Sequence, residues 1–335
     1  MDAAREYHQV HEEAGLFDVS PRAKIELTGP DAAGFLHNLS TNDIRNLPKG
    51  SACEIFLTNA KAKLVAFGCV HHLPDQDQPG TFWLDLDPAA GTNAIQHLNK
   101  FLISEQVEIN DRTREFAQFY LLGPKSRQIL TKVLGAGLEG LDEWHCACAP
   151  GPSGLTCQVR YHRRLEIDCF ELVFPAAGST TFWNLLTKAG ALPVGMETFE
   201  ILRVEAGLPV YGIDIDENIL APEVGRPAIS YTKGCYLGQE TIVRIRDLGH
   251  VNRMLRGLKV MEGRDLPWGV KVIWDGKEVG DVRSSVQSLR LGGAIALAYL
   301  HRSCQEPGTR VHVAVGTERV SAEVSSLPFG QPGNV

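Results

Sequence analysis

The chain has 335 residues, 44% of them hydrophobic and 22% charged, with a formal net charge of −7. That length carries a large core and two or three domains, and the acidic balance excludes a general nucleic-acid binder. No run of about 18 apolar residues exists, which excludes a helical membrane span.

The opening stretch, MDAAREYHQVHEEAG, is acidic and polar and lacks the basic and apolar regions of a secretory signal. Cysteines at 53, 69, 146, 148, 157, 169, 235 and 304 are scattered, as suits reduced thiols rather than a disulfide framework. Cytoplasmic residence is therefore expected.

Residues 2–14 read as a short helix. AKIELTG (23–29) reads as a strand running into Gly-Pro, with a helix from Asp31. CEIFLTN (53–59), LVAFGCVHHL (64–73) and TFWLDLD (81–87) read as strands, with a turn cluster at 74–80 and a helix from Pro88 to Phe101. This order suggests α+β units. An echo follows: GPDAAGFL (29–36) and GPKSRQIL (123–130) each come after an apolar strand and place Pro near a helix start. LTCQVRYHR (155–163), LEIDCFELVF (165–174) and a helix near 179–189 repeat the order, so two related lobes are expected, approximately 1–115 and 116–250. Beyond residue 250 the texture becomes β-rich. Asp275-Gly276 marks a hairpin, and the segment 251–330 reads as a small antiparallel barrel or sandwich.

ETFEILRVEAGLP (197–209) reads as a helix ending at Gly207, with Glu205 in its last turn. A carboxylate there opposes the helix dipole and needs a compensating donor. A salt bridge is the plain reading. The functional one is a carboxylate gripping the paired N–H groups of a flat amidine-like ring edge, as a pterin has. The aspartates of YGIDIDENIL (211–220) lack the glycine and register of a calcium loop and read as solvated turn carboxylates, with no metal. KGCYLGQE (233–240) places Lys233 near Cys235, where an ammonium beside the sulfur favours the thiolate. A helix begins at Gln239 with Glu240 in its first turn, and Arg244, Arg246, Arg253 and Arg256 form a basic stretch suited to an anionic ligand tail. Cys146, Cys148 and Cys157 fall short of a zinc signature. His71 and His72, adjacent on a strand, point to opposite faces. No hydrolase elbow, Walker loop or dinucleotide fingerprint is present.

RVEAGLPVYGIDIDE followed by KGCYLGQETIVRI resembles the YgfZ family of folate-binding proteins, relatives of the glycine-cleavage T protein, an aminomethyltransferase. AGLFDVSPRAKIELTGPDAAGFLHNLSTNDIRNLPKG is similar to the opening shared by both groups, and the resemblance covers nearly the whole chain. It implies two ferredoxin-like-type α+β lobes (1–250) and a C-terminal antiparallel β-barrel (251–330) around a central cavity for tetrahydrofolate or a one-carbon-substituted form. It assigns the pterin grip to Glu205 and the functional thiol to Cys235, with Lys233 beside it. Tyr236, Gln239, Glu240, Arg246 and Arg253 are the further folate-contacting candidates. It implies a folate-dependent role in assembly or repair of iron–sulfur client proteins. The alternative is aminomethyl transfer to tetrahydrofolate. Against it, the transferase pattern Asn-x-x-Gly-Gly-x-x-Asp-Asp reads here as NAKAKLVAF from Asn59, with Ala66 and Phe67 at the acidic positions; Asp85 or Asp87 is the candidate substitute.

Overall fold

A computed structural model of the protein describes residues 2–74, 80–135, 138 and 140–330, without the side chain of Leu248. Residues 75–79 of the expected turn cluster lie outside the described residues. The chain forms two compact units: Met1–Gly195 with Pro227–Gln239, and Met196–Arg226 with Glu240–Val335.

In the first unit, α1 (Ala3–Glu12) and β1 (Gly15–Asp18) precede two runs of the same order. The first is β2 (Ala23–Thr28), α2 (Ala32–Leu39), β3 (Ser51–Thr58), β4 (Leu64–His72), β5 (Phe82–Leu86), α3 (Gly91–Phe101) and β6 (Glu108–Asp111). The second is β7 (Phe116–Leu122), α4 (Ser126–Leu134), β8 (His145–Pro150), β9 (Thr156–His162), β10 (Cys169–Pro175), α5 (Ser179–Ala189) and β11 (Leu192–Pro193). All strands join one 11-stranded sheet, in the order β11-β1-β7-β10-β9-β8-β3-β4-β5-β2-β6. β2, β5, β4 and β3 are thus neighbours in the same sense as β7, β10, β9 and β8, and the two sets meet at the Ser51–His145 pair. The Gly-Pro echo has a steric cause. Gly29 and Gly123 adopt φ of 121° and 109°. A methyl carbon at Gly29 would fall 2.1 Å from the Gln106 carbonyl, and at Gly123 2.3 Å from that of Val10. Both strand-to-helix turns therefore require glycine.

The two faces of the sheet differ. On one, Phe119, Leu121, Phe170, Leu172 and Phe174 pack with Ile129 and Leu130 of α4 and Phe182 and Leu186 of α5. This is the amphipathic pairing that alternating strands and periodic helices produce. The other face is polar and buried. Its cross-strand rows are Lys24–Asp85–Cys69–Glu54 in the first run and Tyr120–Glu171–Arg160–Cys146 in the second. The rows touch: the Gln118 amide donates to Asp85 at 2.5 Å, and Arg160 stands 3.8 Å from Asp85 and 3.6 Å from Glu171. Arg22 donates to both Asp85 (2.5 Å) and Asp87 (2.6 Å), and Arg164 to Glu54 (2.7 Å).

In the second unit, α6 (Met196–Glu205) and α7 (Ala221–Val224) accompany a closed barrel. Its strands are β12 (Arg253–Val260), β13 (Lys271–Trp274), β14 (Lys277–Ser288), β15 (Gly293–His301), β16 (Arg310–Val315) and β17 (Glu318–Ser325). They close in the order β12-β15-β14-β13-β16-β17, so a barrel rather than a sandwich forms. Asp275 and Gly276 take φ of 49° and 72°, the two positive values that a type I′ hairpin needs. Ala294, Ala296 and Ala298 line the interior, where a small barrel has room for short side chains. Ile295, Leu297 and Tyr299 on the other face of β15 are also buried, and α6 contacts β14 and β15. Cover on both faces explains why GGAIALAYL does not alternate. The fold is thus α+β with a C-terminal antiparallel barrel, as expected. No helix among the described residues is long and apolar enough to cross a membrane.

Candidate functional site

Residues 233–239 of the KGCYLGQE stretch belong to the first unit, and most of their contacts are with backbone. Thr41 donates to the Ala228 carbonyl at 2.5 Å, and the Ser230 amide to the Thr41 carbonyl at 2.9 Å. Lys233 then reaches the C-terminal end of α2. Its ammonium donates to the carbonyls of His37 (2.5 Å), Ser40 (2.7 Å) and Asn42 (2.8 Å) and lies 4.7 Å from the centre of the Tyr236 ring. The His37 carbonyl is one that the helix end leaves unpaired, those of Ser40 and Asn42 lie at and after its cap, and a cation there is favoured by the dipole. Burial lowers the Lys233 pKa to about 8. The hydrogen bonds of Lys233 therefore run to α2 and the turn after it, where the sequence reading directs the ammonium toward Cys235. The Leu237 amide donates to the Asn38 carbonyl at 2.9 Å, and Thr58 donates to the Leu237 carbonyl at 2.8 Å. Gly238, at φ 88°, lies so close to the β3–β4 turn that a methyl carbon would fall 2.7 Å from the Asn59 carbonyl and 3.2 Å from the Ala62 Cα. The loop is thereby pinned between α2 and the NAKAK turn.

Between those anchors Cys235 is exposed, alone among the eight cysteines in that respect. Burial pushes the Cys53 and Cys146 thiols up to about 12 and raises those of Cys69, Cys157 and Cys169 further. These are packing groups. Cys157 sits in the apolar core beside α5 whereas Cys146 packs with Trp83 and Val173, so the two do not share a metal site.

Of the other candidates, Tyr236 is buried, Gln239 half-buried at the start of α8 (Gln239–Leu248) and Glu240 exposed. Arg246 is exposed and pairs with Asp247 at 2.5 Å. Arg253 stands 3.3 Å from Glu223 and over the Tyr299 ring, and Arg256 donates to the Gln305 carbonyl at 3.1 Å. The basic stretch is thus largely engaged within the second unit or with a sequence neighbour.

Glu205 ends α6 in that unit and is 4% exposed. Ser288 donates to its Oε1 at 2.5 Å, and Arg290 stands 3.7 Å from its Oε2. These donors offset the unfavourable dipole. The helix stops as expected: Gly207 takes φ 64° and its amide returns to the Val204 carbonyl. Asp214 corrects the sequence reading. It is fully buried rather than solvated, accepting from Arg203 (2.8 Å), Ser284 (2.6 Å) and the Val210 amide (2.9 Å). Asp216 caps the Asn218 amide at 2.7 Å, as a turn carboxylate does.

Ala66 and Phe67 are buried on β4, with Phe67 packed on Phe56 and under the Arg164 guanidinium. Asp85 and Asp87, the candidate substitutes, are both buried and held by Arg22. His71, Asp85 and Glu171 bring ligand atoms within 4.8 Å of one another. The cations Arg22, Lys24, Arg160 and Arg164 already balance Asp85, Asp87, Glu171 and Glu54 there, so an added dication would stand uncompensated in a buried setting.

An α+β sheet carrying a loop clamped at its helix end, with a closed barrel beyond it in sequence, defines a class of two-part proteins. The chain belongs to the glycine cleavage T-protein family: residues 1–229 match the GCVT N-terminal domain and residues 253–330 the glycine cleavage T-protein C-terminal barrel domain. It is 28% identical over 323 residues to an aminomethyltransferase of Clostridium botulinum, covering 95% of this chain and 86% of that one. It is 28% identical to one of Listeria monocytogenes, covering 97% and 88%. The glycine cleavage system aminomethyltransferase T of Bartonella henselae has the same fold, with a TM-score of 0.88, 21% identity and coverage of 98% of this chain and 89% of that one.

Proposed function

We propose that the protein binds tetrahydrofolate, or a one-carbon-substituted form of it, and transfers the one-carbon unit as an aminomethyltransferase-type protein of the cytoplasm. The observation that carries this reading is the match to both T-protein domains, together with relatives named aminomethyltransferase along nearly the whole chain. They support the transferase reading over an iron–sulfur role. Glu205 fits the ligand's pterin edge in kind: a buried carboxylate whose orientation Ser288 fixes in advance suits two parallel N–H donors. The folate itself would supply the nitrogen that carries the one-carbon unit. In calorimetric titration with tetrahydrofolate, Glu205→Ala is expected to weaken binding by about 1–3 kcal/mol. Unchanged affinity would remove Glu205 from the site, and a wild-type protein that binds no folate would overturn the reading.

A second reading is favoured by Ala66, Phe67 and the exposed thiol. In it the protein is a YgfZ-like folate-binding accessory factor for iron–sulfur client proteins, and Cys235 is its working group. The two part in one assay with the aminomethyl-loaded carrier protein. Sustained turnover selects the transferase. No turnover, together with a Cys235→Ala variant that folds but fails to restore iron–sulfur enzyme activity in a strain lacking the protein, selects the accessory factor.

A further inference from the structure

The polar face of the sheet in the first unit ends in a cavity that the folate reading does not use. Lys24–Asp85 and Glu171–Arg160 are cross-strand pairs of the charge cluster, and one row further out on the same face come Glu26–Trp83 and Val173–Gln158. Glu26, Trp83 and Gln158 of those outer rows line a cavity of about 540 Å³, within the range of small-molecule sites. Leu73, Phe116 and Leu155 add apolar wall to it. The cavity lies at the end of β3 and β4 away from the Cys235 loop. That loop touches Thr58 and Asn59, whereas Leu73 follows His72, which pairs with Ser51 at the opposite end.

Gln158 is 8% exposed, and its amide has a fixed orientation. Arg160 donates to its Oε1 at 2.8 Å, and a guanidinium offers no acceptor to an amide nitrogen. Nε2 is therefore the free end, and it makes no hydrogen bond among the described residues. A nearly buried donor without an acceptor is costly, and a guest carbonyl would satisfy it. Glu26 is held in the same manner: Arg112 donates to its Oε2 at 2.9 Å, which leaves Oε1 to accept from a guest N–H. Trp83 and Phe116 meet edge to face with ring centres 4.9 Å apart, a wall suited to a flat ring. The Glu26 carboxylate disfavours an anionic guest. We propose that this cavity binds a small neutral aromatic carboxamide, its ring against Trp83 and Phe116, its carbonyl on Gln158 Nε2 and its N–H on Glu26. The site is separate from Glu205 and from the Cys235 loop, so it stands or falls independently of the folate reading.

The test is a titration of the full chain with benzamide at pH 7, read by saturation-transfer NMR of the probe. A probe of this size should bind with a dissociation constant on the order of 1 mM. Benzoate, an anion without the N–H, and toluene, without either polar group, should each bind about ten-fold more weakly. Gln158→Glu keeps an acceptor for Arg160 but replaces the donor by a second acceptor, and should weaken benzamide about ten-fold. Thr156→Phe, at an exposed position on the cavity's rim, should abolish binding by filling it. Excess tetrahydrofolate should leave the benzamide signal in place. The proposal is overturned by a wild-type protein that shows no saturable benzamide signal, by equal affinity for toluene or benzoate, by displacement with tetrahydrofolate, or by unchanged affinity in a folded Gln158→Glu protein. Should Gln158→Glu fail to fold by circular dichroism, Thr156→Phe decides alone: wild-type affinity there overturns it.

Discussion

Replacing Asp85 by alanine is expected to lower the free energy of unfolding by about 3–5 kcal/mol, read from urea denaturation at neutral pH. Asp85 is 1% exposed and accepts from Arg22 and Gln118, with Arg160 3.8 Å away. Its removal leaves buried guanidinium charge without its main counter-ion, which costs more than the pair contributes. Burial alone would raise the Asp85 pKa, but Arg22, Arg160 and the Gln118 amide together hold it well below the usual carboxylate range. The sign follows from linkage. The folded state holds this proton less tightly than the unfolded chain, so the stabilisation is fully present above about pH 4 and fades as acid lowers the pH further. A double replacement of Asp85 and Arg160 should cost less than the sum of the two single ones, because each removes the other's unpaired charge. A loss for Asp85→Ala within about 0.5 kcal/mol would mean that water reaches the cluster and screens it.

Lys233→Met is the second large effect, with an expected loss of about 2–3 kcal/mol. The ammonium satisfies three carbonyls on α2 and the turn after it, and a methionine of similar length satisfies none. pH separates this from a simple packing defect. Because burial lowers the folded-state pKa to about 8, against an unfolded value near 10.4, the unfolded chain binds more protons between those values. Lys233 therefore contributes a rise in stability as pH increases from about 8 to about 10, and Lys233→Met should lose that increment. Lys24, also lowered to about 8 by burial, contributes the same sign and remains in the variant. Cys235 should at the same time become easier to cleave around by protease, since its loop loses an anchor to α2.

Much of the architecture is legible in local pattern. Alternation marks β5, apolar runs mark β3, β4 and β9, Gly-Pro marks two strand-to-helix turns, Asp275-Gly276 the barrel hairpin and Gly207 the end of α6. β10 begins at Cys169, four residues later than expected, because Leu165–Asp168 turns before pairing starts. The resemblance in the opening stretch and in RVEAGLPVYG reaches the glycine cleavage T-protein family that both domain matches establish, whereas the YgfZ branch that KGCYLGQE points to stays a proposal. The α2 end that anchors the KGCYLGQE loop was missed because FLHNL reads as an ordinary amphipathic helix. What gives it meaning is Lys233, nearly two hundred residues further along the chain.

The amino-acid order alone settles the α+β class, the β-rich C-terminal part and the location of the two distinctive segments, because strand period, turn chemistry and helix caps act over a few residues. It does not settle what Lys24, Asp85, Arg160 and Glu171 do. Along their own strands they look like the solvent-facing half of an alternating pattern, and they become a buried charge cluster once the two runs bring their rows together. Nor does it reveal the partners of Lys233, since those are main-chain carbonyls, which every residue carries and no side-chain pattern marks. Long-range pairing of charges and backbone acceptors exists only after the chain has folded, and that is where the clamp on the Cys235 loop comes from.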